Sequence, residues 1–226
     1  MKKLCSTLLL LSFFCHLYPM VAQQNKFEMG IIGGPNAVKL VGNKLIETYY
    51  KRLFLYSAGI SIQYNFPKRI SFQSGLLYER KGCGDKNISV TDEMGRKIGT
   101  AKLSLNFDYL VLPLIAKASF GKKTKFFFSW GTFLAYCLTS ELNYSSTLVI
   151  GYSRNLGSQY KKQDAGIMIG GGLDFPIYSK LSFSAEYRHC KGLHDIATDE
   201  IWANEKVLTI SNNLLLGIQY KFGLRK

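Results

Sequence analysis

Residues 101–113 read Ala-Lys-Leu-Ser-Leu-Asn-Phe-Asp-Tyr-Leu-Val-Leu-Pro, and their alternation decides the fold class. Ala101, Leu103, Leu105, Phe107, Tyr109, Val111 and Pro113 share one parity, while Lys102, Ser104, Asn106 and Asp108 share the other. Successive strand side chains point to opposite faces, so a period of two marks an amphipathic strand. The same split sets Phe54, Tyr56, Ile60, Ile62 and Tyr64 against Ser57, Gly59, Ser61 and Gln63. It sets Leu181, Phe183, Ala185 and Tyr187 against Ser182, Ser184, Glu186 and Arg188. Near the end of the chain it sets Leu208, Ile210, Leu214, Leu216, Ile218, Tyr220 and Phe222 against Thr209, Ser211, Asn213, Gly217, Gln219 and Lys221.

Eight strands follow, at 27–34, 53–66, 69–81, 100–119, 125–138, 163–176, 179–191 and 206–222. Their connections alternate in length. Pro67-Lys68, Gly121-Lys122-Lys123-Thr124 and Ile177-Tyr178 are tight turns, whereas 35–52, 82–99, 139–162 and 192–205 are long. An even strand count with alternating short and long connections is the layout of a membrane barrel with short periplasmic turns and longer extracellular loops. The expectation is an all-β fold, an eight-stranded antiparallel up-and-down transmembrane β-barrel of OmpA/OmpX-like architecture.

The 226 residues carry 29 Lys+Arg against 15 Asp+Glu, with 47% hydrophobic and 14% aromatic residues, which excludes disorder, collagen and coiled coil. A net charge of +14 would suit nucleic acid. The lysines and arginines, however, scatter over separate turns and loops (Lys39, Lys44, Lys51, Arg52; Lys86, Arg96, Lys97; Lys122, Lys123, Lys125; Lys161, Lys162). A soluble lipocalin-like carrier is the rival fold. It should put Lys, Glu and Thr on its outer strand faces, but the polar faces here are mainly Ser, Gly, Asn and Gln, which suit a narrow barrel interior. Tyr64, Phe66, Phe72, Phe120, Phe126, Phe128, Phe175, Tyr178, Phe183, Tyr220 and Phe222 gather near the short turns, as an interfacial girdle should.

Lys2 and Lys3 before the apolar run Leu4 to Leu17, with Met20-Val21-Ala22 beyond, read as a signal peptide over 1–22, leaving 23–226 as the barrel domain. Cleavage near Ala22 removes only those two charges and lowers the net charge from +14 to +12. Cys83, Cys137 and Cys190 remain, an odd number without metal-ligand spacing, so one disulfide or none is open.

The chain resembles the PorT-like family of small outer-membrane β-barrel proteins. The resemblance is carried by Tyr109-Leu110-Val111-Leu112-Pro113-Leu114, by Gly131, and by Asp164-Ala165-Gly166 leading into Gly170-Gly171-Gly172-Leu173. It continues in Glu186-Tyr187-Arg188, Gly192-Leu193, Asp195-Ile196 and the closing Leu216 to Phe222. The resemblance implies a cell-envelope barrel and points toward a secretion-accessory role of the type IX kind. An Arg often precedes the strand-seven Tyr in that family; here Glu186 stands there and Arg188 follows, so no interior pairing carries over.

Candidate chemistry is sparse. His189 and His194, with Cys190, Asp195, Asp199 and Glu200 nearby, could serve a rim-located lipid-modifying enzyme or a metal site, but Lys191 stands where a Ser would be wanted. The Gly170–Gly172 triplet has no phosphate-loop pattern around it and reads as room for interior packing. No catalytic residue, cofactor or metal is assigned. Glu79, Lys102, Asp108, Asp164, Glu186 and Arg188 are read as an interior polar network, with Lys81, Asp174 and Lys221 as further inward charges. Buried charges must be paired or hydrated, and a salt-bridged plug rather than a pore is expected in so small a barrel. Lys86, Arg96, Lys97, Tyr144, Arg154, Lys161 and Lys162, with Tyr152 and Tyr160, are read as loop contacts for anionic partners such as lipopolysaccharide phosphates. The function expected is structural, adhesive or secretion-accessory, carried by four extracellular loops.

Overall fold

The computed structural model describes residues 27–42, 47–48, 50–85, 88–146, 151–157, 159–198 and 206–222. The proposed signal peptide, Lys86, Asp199 and Glu200 lie outside these. Eleven strands are described: β1 (Phe27–Val41), β2 (Tyr50–Lys51), β3 (Leu53–Asn65), β4 (Ile70–Asp85), β5 (Ile88–Thr91), β6 (Lys97–Phe120), β7 (Lys125–Ser146), β8 (Tyr152–Asn155), β9 (Gln163–Pro176), β10 (Leu181–Gly192) and β11 (Leu208–Phe222). Eight of them form a closed antiparallel ring in the order β1-β3-β4-β6-β7-β9-β10-β11. Closure comes from β1 against β11, with Phe27 opposite Phe222 and Val41 opposite Leu208, and from β4 against β6, with Ile70 opposite Ala118. A closed ring leaves no long unpaired edge.

The three short turns, both barrel termini and most outward aromatics share one end. Pro67–Arg69 forms a single 3-10 turn between β3 and β4. Gly121 opens the β6–β7 turn at φ +110, where a Cβ would also strike the Thr124 carbonyl. The outward rings pack on one another, Phe27 with Tyr64 at 4.9 Å, Tyr64 with Phe66 at 4.7 Å and Tyr220 with Phe222 at 5.0 Å between centroids. Above this girdle Ile31, Ile60, Leu76, Leu134, Ile167, Leu214 and Leu216 face outward and are exposed. A soluble carrier would not present such a wall, whose exposed apolar area far exceeds a stray surface residue.

At the other end the strands run longer than the alternation predicts. β1 reaches Val41 rather than 34 because Asn36, Val38 and Leu40 continue the inward series past Pro35. β6 and β7 extend to Lys97 and Ser146, and β5 and β8 flank them, so part of each expected loop is a sheet that continues the barrel wall.

The orientation of β6 corrects the sequence reading. Ala101, Leu105, Phe107, Tyr109, Val111 and Ile115 point into the lumen and are buried, and so is Lys117 on the same parity. Lys102 is exposed on the outer wall. Between Asp108 and Tyr109 the register slips, so that Asp108 faces Thr139, Tyr109 faces Cys137, and Leu138 is bulged out. That β-bulge also switches the inward parity of β7 from Cys137 to Ser140. On β3, β10 and β11 the polar parity faces inward as expected.

Candidate functional site

The middle of the lumen is held by charge pairs between strands that are not neighbours. Glu186 on β10 accepts two hydrogen bonds from Arg188, Nε to Oε1 at 3.0 Å and Nη2 to Oε2 at 2.9 Å. Ser129 on β7 donates to the same carboxylate at 3.1 Å, and Lys117 on β6 brings its Nζ to 3.4 Å. The Lys117 ammonium also lies 4.1 Å over the Phe127 ring. One layer nearer the long connections, Lys81 on β4 meets Asp164 on β9 at 3.1 Å, and Thr209 donates to the same Asp164 oxygen at 2.7 Å. Lys81 is bounded by the rings of Phe133 and Tyr109 at 4.4 and 5.0 Å. Glu79 accepts from Asn213 Nδ2 at 3.3 Å, and Asn213 Oδ1 accepts from Ser57 at 3.0 Å. Lys81, Lys117 and Arg188 therefore face Glu79, Asp164 and Glu186, all buried. The chain's excess positive charge lies elsewhere.

β9 makes room for these side chains. Gly166 and Gly172 face inward, and a Cβ at either would stand 2.7 Å from the Phe133 or Phe127 ring on β7. The glycine-rich run thus seats two large inward aromatics beside the ion pairs.

Of the residues read as one interior network, Glu79, Asp164, Glu186 and Arg188 are in the lumen and Lys102 and Asp108 are not. Asp108 faces the outer wall, 2.8 Å from Arg80 Nε, and Thr139 donates to it at 3.0 Å. The reading failed because both faces of β6 are apolar from Leu110 to Ile115, so periodicity there does not fix the inward parity. Lys117 was missed for the same reason. It is the one charge on the odd parity of β6 between Ala101 and Ser119, and it was itself the signal that this parity faces away from lipid.

Above the ion pairs the lumen is covered. Tyr160 and Ala197 form a bridge between the connections that follow β7 and β10, Lys161 N–H donates to Ile196 O, and Ile196 N–H donates to Val207 O. The Asp195 carboxylate accepts the N–H groups of Ala197 and Val207 at 3.1 and 2.8 Å. Leu156, Tyr160, Ile196 and Val207 are thereby buried against Phe107, Tyr109, Leu40 and Cys137. Tyr160, expected as an exposed contact, packs its ring 4.8 Å from Phe107 inside this cap.

The remaining loop candidates are dispersed. Arg96 pairs with Asp92 at 2.9 Å, Lys97 opens β6 exposed, and Arg154 is exposed on β8. Tyr144 stacks on Tyr152 at 5.3 Å, Lys161 lies 3.9 Å from Asp195, and Lys162 is exposed. His189 Nδ1 is 2.8 Å from Asn212 Oδ1, which also accepts from Tyr187 OH at 2.8 Å. Cys190 points into the lumen while His194 is exposed at the rim, so they do not converge on one ion. Cys83, Cys137 and Cys190 are buried and not joined in a disulfide.

Residues 21–198 match the family described as outer membrane protein beta-barrel domain. The chain belongs to that family. This outer-membrane barrel thus carries its apolar wall, girdle and closed ring into the lipid bilayer for which they are suited. No curated protein matches it by sequence. Among solved structures, it is similar to Ail, the attachment invasion locus protein of Yersinia pestis, at 12% identity over 87% of this chain and 99% of that one, with a TM-score of 0.42. Neisserial surface protein A is 14% identical over 87% and 97%, TM-score 0.44. OprG from Pseudomonas aeruginosa is 12% identical over 88% and 97%, TM-score 0.38. At these scores the likenesses carry no functional argument.

Proposed function

We propose that this outer-membrane barrel is a non-catalytic, non-conducting protein of the PorT-like kind, exported by a signal peptide cleaved near Ala22. Its work is done at the surface built by the four long connections, taken as extracellular. The observation that carries this reading is the double closure of the lumen, by the ion pairs around Glu186 and Asp164 and by the cap of Tyr160, Ile196 and Val207. A lumen closed at its middle and an apolar wall make the upper sheet and cap a place for recognition. The role is structural, adhesive or secretion-accessory, in the manner of type IX secretion.

The exposed cations Lys97, Arg154 and Lys162, with the Tyr144–Tyr152 stack, favour an anionic partner such as lipopolysaccharide phosphates. Arg96 and Lys161 contribute less, since each faces a carboxylate. Replacing Lys97, Arg154 and Lys162 together by Ser should weaken binding to lipopolysaccharide vesicles severalfold and flatten its salt dependence; unchanged binding would overturn the recognition surface. In planar bilayers the protein should show no large, stable open channels. Cell fractionation with a heat-modifiability gel, on which a folded barrel runs faster before boiling, tests the export and insertion it presupposes.

A further inference from the structure

Toward the short turns, as at Asp164 Oδ1 and Tyr109 OH in the middle, the barrel holds buried polar atoms without a protein partner. Gln63, Ser71, Gln73 and Ser182 are each more than nine-tenths buried, yet Gln63 Oε1, Ser71 Oγ, Gln73 Oε1 and Ser182 Oγ have no protein partner. Gln63 and Gln73 lie opposite one another on β3 and β4, Ser71 stands two residues before Gln73 on the same face, and Ser182 on β10 lies opposite Gln219, two residues before Lys221. Buried donors and acceptors are costly to leave unmet, and Ser71 is the one of these four that faces a cavity from which a partner could come.

Ser71 also lines a cavity of about 420 Å³ that forms the mouth at the short-turn end. Its lining carries Arg69, Lys125 and Lys221 against Glu28, whose Oε1 already accepts from Asn65 at 2.8 Å, and Asp174 on β9 stands opposite Lys125 just outside the lining. The Ser71, Ser119 and Ser179 hydroxyls of its lining can each donate to and accept from ligand hydroxyls, and the cationic rim calls for an acid. Phe66 and Ile70 add an apolar wall. We propose that this mouth is a binding vestibule for a small polyhydroxylated molecule bearing an acidic group, its hydroxyls meeting Ser71, Ser119 and Ser179 and its acid meeting Lys125 and Lys221. Because the lumen is closed above, the solute enters and leaves by the same mouth, and the site is a receptor rather than a path. This stands apart from the recognition surface at the opposite end.

The test is calorimetric titration of the folded full-length barrel in detergent micelles with glucuronate, glucose and inorganic phosphate. Glucuronate should saturate a single site, with glucose and phosphate each about tenfold weaker or more, as loss of one charge-assisted contact implies. Lys125→Gln with Lys221→Gln should bring glucuronate down to the glucose level, and Ser71→Ala, which deletes one hydroxyl, should weaken both sugars. Heat-modifiability confirms that each variant is folded. Absence of saturable binding by all three probes would mean that water alone fills the vestibule and would overturn the proposal, as would glucuronate affinity unchanged in the double lysine variant.

Discussion

The Lys117 ammonium on β6 lies 3.4 Å from the Glu186 carboxylate on β10, across the lumen and with two strands between them in the ring. Both side chains are almost wholly buried. Together with Arg188, this contact pins opposite walls of the barrel through its interior.

Glu186 is the shared partner, so its loss should exceed the loss of either cation. Glu186→Gln leaves Lys117 and Arg188 facing one another without compensation and should destabilise the barrel by about 3–5 kcal/mol. Lys117→Met keeps the bidentate Arg188–Glu186 pair and should cost clearly less. Urea unfolding in micelles, followed by the heat-modifiability shift, orders the two; equal losses would disprove the shared-partner arrangement.

The orientation of β6 can be read by placing charge on each face. Leu112 faces outward within the apolar wall. Leu112→Lys should cost about 2–4 kcal/mol in lipid bilayers. Lys102→Leu, on the exposed wall above the membrane, should stay within about 0.5 kcal/mol of the parent. If Lys102→Leu proved strongly stabilising or destabilising, the outward placement would be wrong.

Arg69 closes the Pro67–Arg69 turn at φ 69, in the left-handed region. A non-glycine residue there is strained by roughly 1–2 kcal/mol, part of which glycine gives back through its freer unfolded chain. Arg69→Gly should therefore raise the unfolding midpoint, by about 1 kcal/mol in stability, and Arg69→Val should lower it.

The β5–β6 hairpin should loosen in acid. Asp92 accepts the N–H groups of Arg96 and Met94 and the Arg96 guanidinium, and the Arg96 backbone bond leads in holding its carboxyl below the usual carboxylate range. A folded-state pKa that is depressed contributes stability above the ordinary Asp value, lost as pH falls through the depressed one. Amide exchange at Met94 and Arg96 should accelerate over that window, and Asp92→Asn should make it pH-independent there.

Which parts could be read beforehand follows from which residues were ambiguous. β10 alternates Ser182, Ser184, Glu186 and Arg188 with Leu181, Phe183, Ala185 and Tyr187, and β11 is equally two-faced, so inside and outside are legible from pattern alone. Gln63 and Ser182 are legible as polar parity, but that their oxygens lack protein partners depends on distances across strands far apart in sequence.

On β6 the even face is polar from Lys102 to Asp108 and apolar from Leu110 to Phe120, while the odd face is apolar down to Ile115 and then carries Lys117. The apolar stretch of the even face is the length, about 9–11 residues, that a tilted strand needs to cross hydrocarbon. Local alternation suffices to establish strands, turns and the barrel class, because side-chain parity is a property of the backbone and the short turns are encoded where they stand. Which carboxylate each buried cation meets, and that two connections cap the lumen, are settled only by ring closure and the bulge at Leu138. These bring together residues that the chain keeps far apart, as in the Lys81–Thr209 contact across 128 positions. A buried charge selects its partner in three dimensions, and no period in the sequence records that choice.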